Sequence, residues 1–305
     1  MRVAIAGYGD LARYVVEEFV KAGHVVVILT QNHKPHLDGQ GVTQAVTDYT
    51  LSSLRAPLAD CHVLISTIWD ASSAYTDVHG TLIQACQESP NCKRFIPAEF
   101  SGDIETYPDQ PGFYYATHEP IRNALRSQKD LEWTLVCLGW LTDYFIPVKN
   151  RHIKDIGECH PMNWEGDKIV IAGTGNEPVD FTWARDVARA LASLVKAPAG
   201  SWEPYTFMSG ERSCWNEATK LSKQKYRPHV PIEHVSLHTV AETIKTAKDE
   251  STLMLADYHL LSISQACASP PNRVQAHKEK FFSDVNFRTL QDGLTQFDQY
   301  PDSVL

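Results

Sequence analysis

Six consecutive residues near the start constrain this chain more than any others. Gly7-Tyr8-Gly9-Asp10-Leu11-Ala12 follows a short apolar run, Arg2–Ala6. It opens a segment in which Leu11, Val15 and Phe19, with Ala12, Val16 and Val20, share one stripe at helical spacing. Gly23 stands where such a helix should stop. His24–Thr30 is then a β-branched run of the kind found in strands covered on both faces. A G-x-G-x-x-A between strand and helix is a dinucleotide fingerprint. One glycine makes the tight turn, the next lets the backbone approach a pyrophosphate, and the small third residue lets helix and strand pack closely. The pyrophosphate then rests on the free N–H groups and positive end of the helix. Gly7, Tyr8, Gly9, Asp10, Leu11 and Ala12 are therefore the first candidate cofactor-binding residues.

The alternation continues. A strand is expected near Thr43–Val46, a helix around Leu51 and Leu54, and a strand at His62–Ser66. A helix follows with Val78, Leu82, Ile83 and Cys86, then a strand at Arg94–Pro97, a helix near Thr117–Gln128 and a strand at Trp133–Leu138. Repeated β-α units with short connections predict an α/β fold, a doubly wound parallel sheet of Rossmann type. Beyond about residue 145 the pattern loosens, which predicts a nucleotide-binding domain over 1–145. A smaller α+β substrate-binding region covers 146–305, with 179–197 packing back on the sheet. Lys168–Ala172 and Val179–Phe181, around Gly173-Thr174-Gly175-Asn176, read as a hairpin. Thr182 is a candidate N-cap for the helix that follows, Tyr205–Met208 reads as a strand, and Ser213 as the start of a helix. Further helices are expected around Val240–Ile244, Leu253–Leu261 and Leu290–Phe297, with Ser269–Arg273 as a Pro-bearing connection.

The end of the second strand distinguishes NAD from NADP. A carboxylate there would bind the ribose hydroxyls. The chain instead has Gln31, Asn32, His33 and Lys34, and the two basic side chains favour NADPH. Asp48 and Tyr49, after the third strand, are candidates for the adenine edge. The 305 residues carry a formal charge of −9, which argues against binding a phosphate backbone. Seven cysteines with no paired C-x-x-C spacing read as free thiols of a reducing compartment. No apolar run reaches membrane-spanning length, and Met1 leads straight into a strand. These features predict a soluble cytoplasmic protein without membrane or nucleic-acid partners, as a monomer or homodimer.

Taken together these residues resemble the NmrA-like and isoflavone-reductase-like branch of the atypical short-chain dehydrogenases, over most of the chain and best over 1–195. Val63-Leu64-Ile65-Ser66-Thr67 is similar to the family's fourth strand and the turn beneath the nicotinamide. Arg94-Phe95-Ile96-Pro97-Ala98-Glu99-Phe100 resembles its F-I-P-S-E-F-G signature. Phe181–Ala188 and Ser213–Ala218 resemble segments of its substrate region. The resemblance implies that Ser66, Thr67, Ile68, Pro97, Ala98, Glu99 and Phe100 line the cofactor site. It implies an NADPH-dependent reductase of a small, often phenolic, metabolite of secondary metabolism. Four departures stand out. Aligning Ile121-Arg122 with the family's V-R pair puts His118 where its catalytic lysine belongs. Ala98 replaces a serine, Ser101 stands in place of the following glycine, and Gln31 takes the place of an NADP-binding arginine.

His118 is thus the candidate catalytic residue. With Thr117 as N-cap it would sit in the first turn of its helix, where the helix dipole favours neutral imidazole. Tyr114, four residues earlier, completes an imitation of Tyr-x-x-x-Lys. Aromatic side chains in loops at the carboxyl ends of strands, with Trp69, Phe113, Trp140 and Tyr144 as the candidate substrate contacts, point to an apolar, aromatic substrate. His33, His36, His152, Cys159 and His160 lack metal-ligand spacing, so no metal is expected. The expected function is reduction of an aromatic or polyketide-like ketone or enone. Two rivals remain at this stage: an NADP(H)-sensing regulator without turnover, and a non-redox isomerase, dehydratase or cyclase.

Overall fold

Strand and helix alternate through the first half in the order β1 (Arg2–Ala6), α1 (Asp10–Lys21), β2 (Val25–Thr30), β3 (Val42–Val46), α2 (Leu51–Leu58), β4 (Val63–Ser66), α3 (Ser73–Glu88), β5 (Arg94–Ile96), α4 (Gly112–Ser127) and β6 (Glu132–Trp133). The structure, a computed structural model, describes all 305 residues. The strands form one parallel sheet in the order β3-β2-β1-β4-β5-β6. The chain runs outward from β1 to β3 and returns to β4 on the other side, so a crevice opens at the carboxyl ends of β1 and β4. Register brings these ends level, since Ala6 lies opposite both Leu29 and Ser66. The loops that begin at Gly7, Gln31 and Thr67 therefore meet along one edge.

Period-two alternation places the two faces of the sheet in separate cores. Val3, Ile5, Val26, Ile28, Val63 and Ile65 pack with α1 on one side. Ala4, Ala6, Val27, Leu29, Leu64 and Phe95 pack with α2, α3 and α4 on the other. All twelve of these strand residues are buried, as expected of a sheet covered on both faces.

The second half continues with β7 (Leu135–Cys137), β8 (Trp140–Leu141), β9 (Ile169–Ala172), β10 (Pro178–Thr182), α5 (Ala184–Leu194), β11 (Tyr205–Phe207), β12 (Glu211–Cys214), α6 (Trp215–Tyr226), β13 (Ile232–Val235), α7 (Leu237–Thr246), α8 (Glu250–Ile263), α9 (Pro271–Phe281) and α10 (Leu290–Gln299). Its strands form three small separate sheets, β12-β10-β8, β11-β7 and β13-β9. A third core forms around Trp140, Phe145, Phe181, Trp183 and Trp215. α5 returns to the first half and packs on α1. Arg185 donates to Glu17 at 2.8 Å and to Glu18 at 2.7 Å across that contact. No helix is long and apolar enough to cross a membrane.

Several expectations are corrected. Lys168–Ala172 and Val179–Phe181 do not form a hairpin: β9 pairs with β13 in parallel, while β10 lies between β8 and β12. The Gly173–Asn176 turn is real, but each strand finds its partner far along the chain. Trp133–Leu138 is two strands separated at Thr134, whose hydroxyl meets that of Thr206 at 2.7 Å. Thr182 belongs to β10 and the residue capping α5 is Trp183. Ser213 lies in β12, with α6 starting at Trp215. The stretch after Ser269 contains a full helix, α9, with Pro271 at its first position.

Candidate active site

The glycine loop is held from below and left open above. Gly7 has φ of +86°, a left-handed conformation that favours glycine. A Cβ at Gly7 would lie 3.0 Å from Ile68 Cγ1 and 3.2 Å from Thr67 Oγ1, whereas one at Gly9 would meet nothing within 4 Å. Thr67 Oγ1 donates to Ala6 O at 3.0 Å, and Ile68 N donates to Ser66 Oγ at 3.3 Å. Tyr49 lies underneath. Its hydroxyl donates to Leu29 O at 2.6 Å and accepts from Gly7 N at 3.0 Å, while burial pushes its pKa up to about 12. Tyr49 thus braces the loop, and Asp48 instead accepts from Thr50 and Ser53 at the start of α2.

Ala12 is fully buried against the sheet, and the amides of Asp10, Leu11 and Ala12 form the unpaired first turn of α1. Asp10 itself accepts from Lys154 N at 2.8 Å. A shielded floor, an open space above Gly9 and free amides fit a pyrophosphate. Of the loop after β2, Gln31, Asn32 and His33 are exposed and Lys34 half-buried. His33 Nε2 lies 3.0 Å from Asp38.

The loop after β5 is gripped by α3 and α4. Ala98 N donates to His79 Nε2 at 3.5 Å, and Tyr75 Oη donates to Ala98 O at 3.4 Å. Glu99 does not face an open cleft. Arg122 Nε and Nη2 donate to its two oxygens at 2.8 Å each, with both side chains 1% exposed. Pro97 ends the strand, and Phe100 is half-buried where the two sheet cores meet.

His118 is placed differently from the sequence expectation. α4 begins at Gly112 with Pro111 as its N-cap, so Thr117 is no cap and His118 sits beyond the first turn. Asp257 of α8 reaches the start of this helix: a Cβ at Gly112 would lie 2.9 Å from Asp257 Oδ2. Its carboxylate also accepts from Phe113 N. His118 is buried between Tyr75 (ring centroids 3.6 Å apart, 14° between planes) and Tyr114 (4.4 Å, 27°), and His79 continues the stack beyond Tyr75 at 3.9 Å. Burial, then the Arg122 charge, push the His118 pKa down to about 3. The imidazole is therefore neutral, by desolvation rather than by the helix dipole. Thr117 Oγ1 donates to Tyr114 O at 3.1 Å, so it accepts from His118 Nδ1 at 2.9 Å. The proton lies on Nδ1, and Nε2 presents a lone pair.

Above His118 the aromatic side chains join. Trp69 Nε1 donates a hydrogen bond to Tyr114 Oη. Tyr258 of α8 turns its hydroxyl toward the same oxygen and packs on Phe113 at 5.1 Å and on Trp140 at 5.7 Å. Tyr144 stands against Trp140 at 6.3 Å. Trp69 is 55% exposed whereas Trp140 is 6% exposed, so the wall runs from an open rim into the third core. His79, Asp257 and Tyr258 belong to this constellation without any sequence signal to mark them, and Tyr75 joins it as one of the aromatic residues of the cleft region. No group of three His, Cys, Asp or Glu side chains is placed to hold a metal.

Comparison with known proteins places this geometry. Residues 7–159 match a family described as NAD(P)H-binding. The chain is 76% identical to "Oxidoreductase swnR" of Metarhizium robertsii and 70% identical to that of Arthroderma benhamiae, over the full length of each chain. It belongs to the NmrA-like, isoflavone-reductase-like family of NAD(P)H-binding oxidoreductases. The fold agrees with a solved structure of the pinoresinol-lariciresinol and phenylcoumaran benzylic ether reductases. That match has a TM-score of 0.77 at 15% identity, covering 98% of this chain and 99% of the other. The oxidoreductase therefore keeps the family scaffold, and its helix α4 carries His118, neutral and stacked.

Proposed function

We propose that this oxidoreductase uses NADPH to reduce a small aromatic or polyketide-like ketone or enone, with Tyr114 as proton donor and His118 in the position of the family lysine. The reading is carried by one observation: the Trp69 N–H bonds to the Tyr114 oxygen while the Tyr114 ring lies on a neutral imidazole. Bound at the glycine loop, NADPH supplies the hydride. Reduction of a carbonyl also needs one proton at the developing alkoxide. Because Trp69 donates to the phenol oxygen, the Tyr114 O–H is left to point at the substrate. The same N–H stabilises the phenolate left behind. Neutral His118, with its proton engaged by Thr117, is not the proton source. Its Nε2 accepts a hydrogen bond from a substrate hydroxyl or N–H, and its ring supports that of Tyr114. Trp69, Phe113, Tyr258, Trp140 and Tyr144 offer flat apolar faces to an aromatic substrate.

The test is NADPH oxidation by the purified protein with a panel of aromatic ketones and enones. Tyr114→Phe should lower kcat by about 10²–10⁴-fold, the usual contribution of a positioned acid, with NADPH binding unchanged. NADPH binding without turnover on any member of the panel would overturn the reductase reading in favour of a sensor. Full activity of Tyr114→Phe would remove Tyr114 from the mechanism.

A further inference from the structure

The reading of NADPH leaves open what recognises its 2′-phosphate, because the loop after β2 supplies little free positive charge. Gln31 and Asn32 are uncharged. Asp38 takes up His33 at 3.0 Å and also accepts from Gln44 at 2.8 Å. Gln44 further holds the loop through the backbone of Lys34, accepting from its N at 2.8 Å and donating to its O at 3.1 Å. Only the Lys34 side chain remains on that side.

The opposite side of the same corner is different. Tyr8 rises from the glycine loop, and its ring lies 5.7 Å from that of His36 in the short turn Pro35–Leu37. The Arg13 guanidinium lies against the Tyr8 phenol. Arg13 is the fourth residue of α1 and is exposed. Every carboxylate on its helix is engaged elsewhere. Asp10 accepts from Lys154 N at 2.8 Å. Glu17 is taken by His152 at 2.9 Å and Arg185 at 2.8 Å, and Glu18 by Lys21, Arg185 and Arg189. Arg13 thus stands at the glycine-loop end of α1 with no ion pair, on a chain whose formal charge is −9.

We infer that Arg13, with His36 across the Tyr8 ring, binds the 2′-phosphate of NADPH and sets the preference for NADPH over NADH. The inference rests on the NADPH reading above. A guanidinium suits this task because its planar fork can bond two phosphate oxygens at once. Charge then reaches the phosphate from α1, since Arg13 and His36 each lie against the Tyr8 ring, while Gln31 stands after β2 where the resemblance expects an arginine.

Calorimetric titration of NADPH and NADH into wild type, Arg13→Ala, Arg13→Lys and Lys34→Ala tests this without turnover. Wild type should prefer NADPH. Arg13→Ala should weaken NADPH binding by about 10–100-fold, the scale of a lost charge-assisted pair, and leave NADH binding within about twofold. Arg13→Lys should recover part of the loss, and Lys34→Ala should cost less than Arg13→Ala. Because Arg13 is exposed and unpaired, the thermal midpoint of apo Arg13→Ala should match wild type. A preference for NADPH that survives Arg13→Ala, or equal weakening of both nucleotides, overturns the inference alone. A wild-type preference for NADH overturns the NADPH reading and the inference with it.

Discussion

Arg122→Met should destabilise the protein far more than its single charge suggests, and the structure gives the scale. Arg122 donates twice to Glu99 at 2.8 Å and once to Pro108 O at 2.6 Å. Methionine fills similar space but leaves the Glu99 carboxylate buried without a cation. Breaking one side of a buried pair costs about 3–5 kcal/mol, most of it the penalty on the charge left behind. Glu119, 3.6 Å from Arg122, keeps its closer partner Arg126 at 2.7 Å and adds little. For a chain of this size the single variant should melt roughly 5–8 °C lower. Glu99→Gln/Arg122→Met removes both charges together and should return to within about 2 kcal/mol of wild type. Urea unfolding followed by tryptophan fluorescence, on wild type, both single variants and the double, measures the coupling directly. If Arg122→Met costs under about 1 kcal/mol, or the double variant costs the sum of the singles, the pair is not buried and coupled as described.

Three further outcomes follow from the site. His118 and His79 are held neutral in the fold, near 3 and 4 against 6.5 in the unfolded chain. The stability they contribute is complete above pH 6.5 and is lost as pH falls toward 4, at about 1.4 kcal/mol per pH unit for each. His118→Gln should flatten that slope in urea midpoints taken at pH 7, 6 and 5, and an unchanged slope would refute a buried neutral His118. Gly7→Ala forces a left-handed alanine within 3.0 Å of Ile68 and should abolish NADPH binding in calorimetry, so retained affinity would mean that the loop is not the nucleotide cradle. Tyr49→Phe removes the brace beneath Gly7 at a cost of about 1 kcal/mol of stability. NADPH affinity measured by calorimetry should fall only modestly, because Gly7 N keeps its bond to Leu29 O at 2.9 Å.

The first half of the fold was legible because its signals are local. The glycine fingerprint, β-branched runs and helical stripes each occupy a short window, and their order dictates the sheet. What failed depended on distant partners. The strands at Lys168–Ala172 and Val179–Phe181 were visible as strands, but periodicity says nothing about pairing, and β13 and β12 lie tens of residues away. The start of α4 was misplaced for a similar reason. Gly112-Phe113-Tyr114-Tyr115 carries no helix-start signature, and the carboxylate at that end comes from Asp257 on α8. The neutrality of His118 comes from burial between Tyr75 and Tyr114 and from the Arg122 charge, which one position in a helix cannot reveal. α9 was missed despite a legible start, Pro271, and a basic last turn, because its composition is so polar.

The packing of α5 on α1 has a consequence for synthesis. The apolar face of α1 ends at Lys21, but the helix that covers it begins at Ala184. At the usual pace of a ribosome, roughly 5–20 residues per second, the nascent chain exposes Val15, Val16 and Phe19 for roughly 10–30 s before their partner is made. By the later part of that interval the six strands of the large sheet have been made yet are short of one wall, and the sheet cannot reach final stability. Chaperone occupancy on stalled nascent chains should accordingly fall only after residues 184–194 have cleared the exit tunnel, well after the last strand of the large sheet.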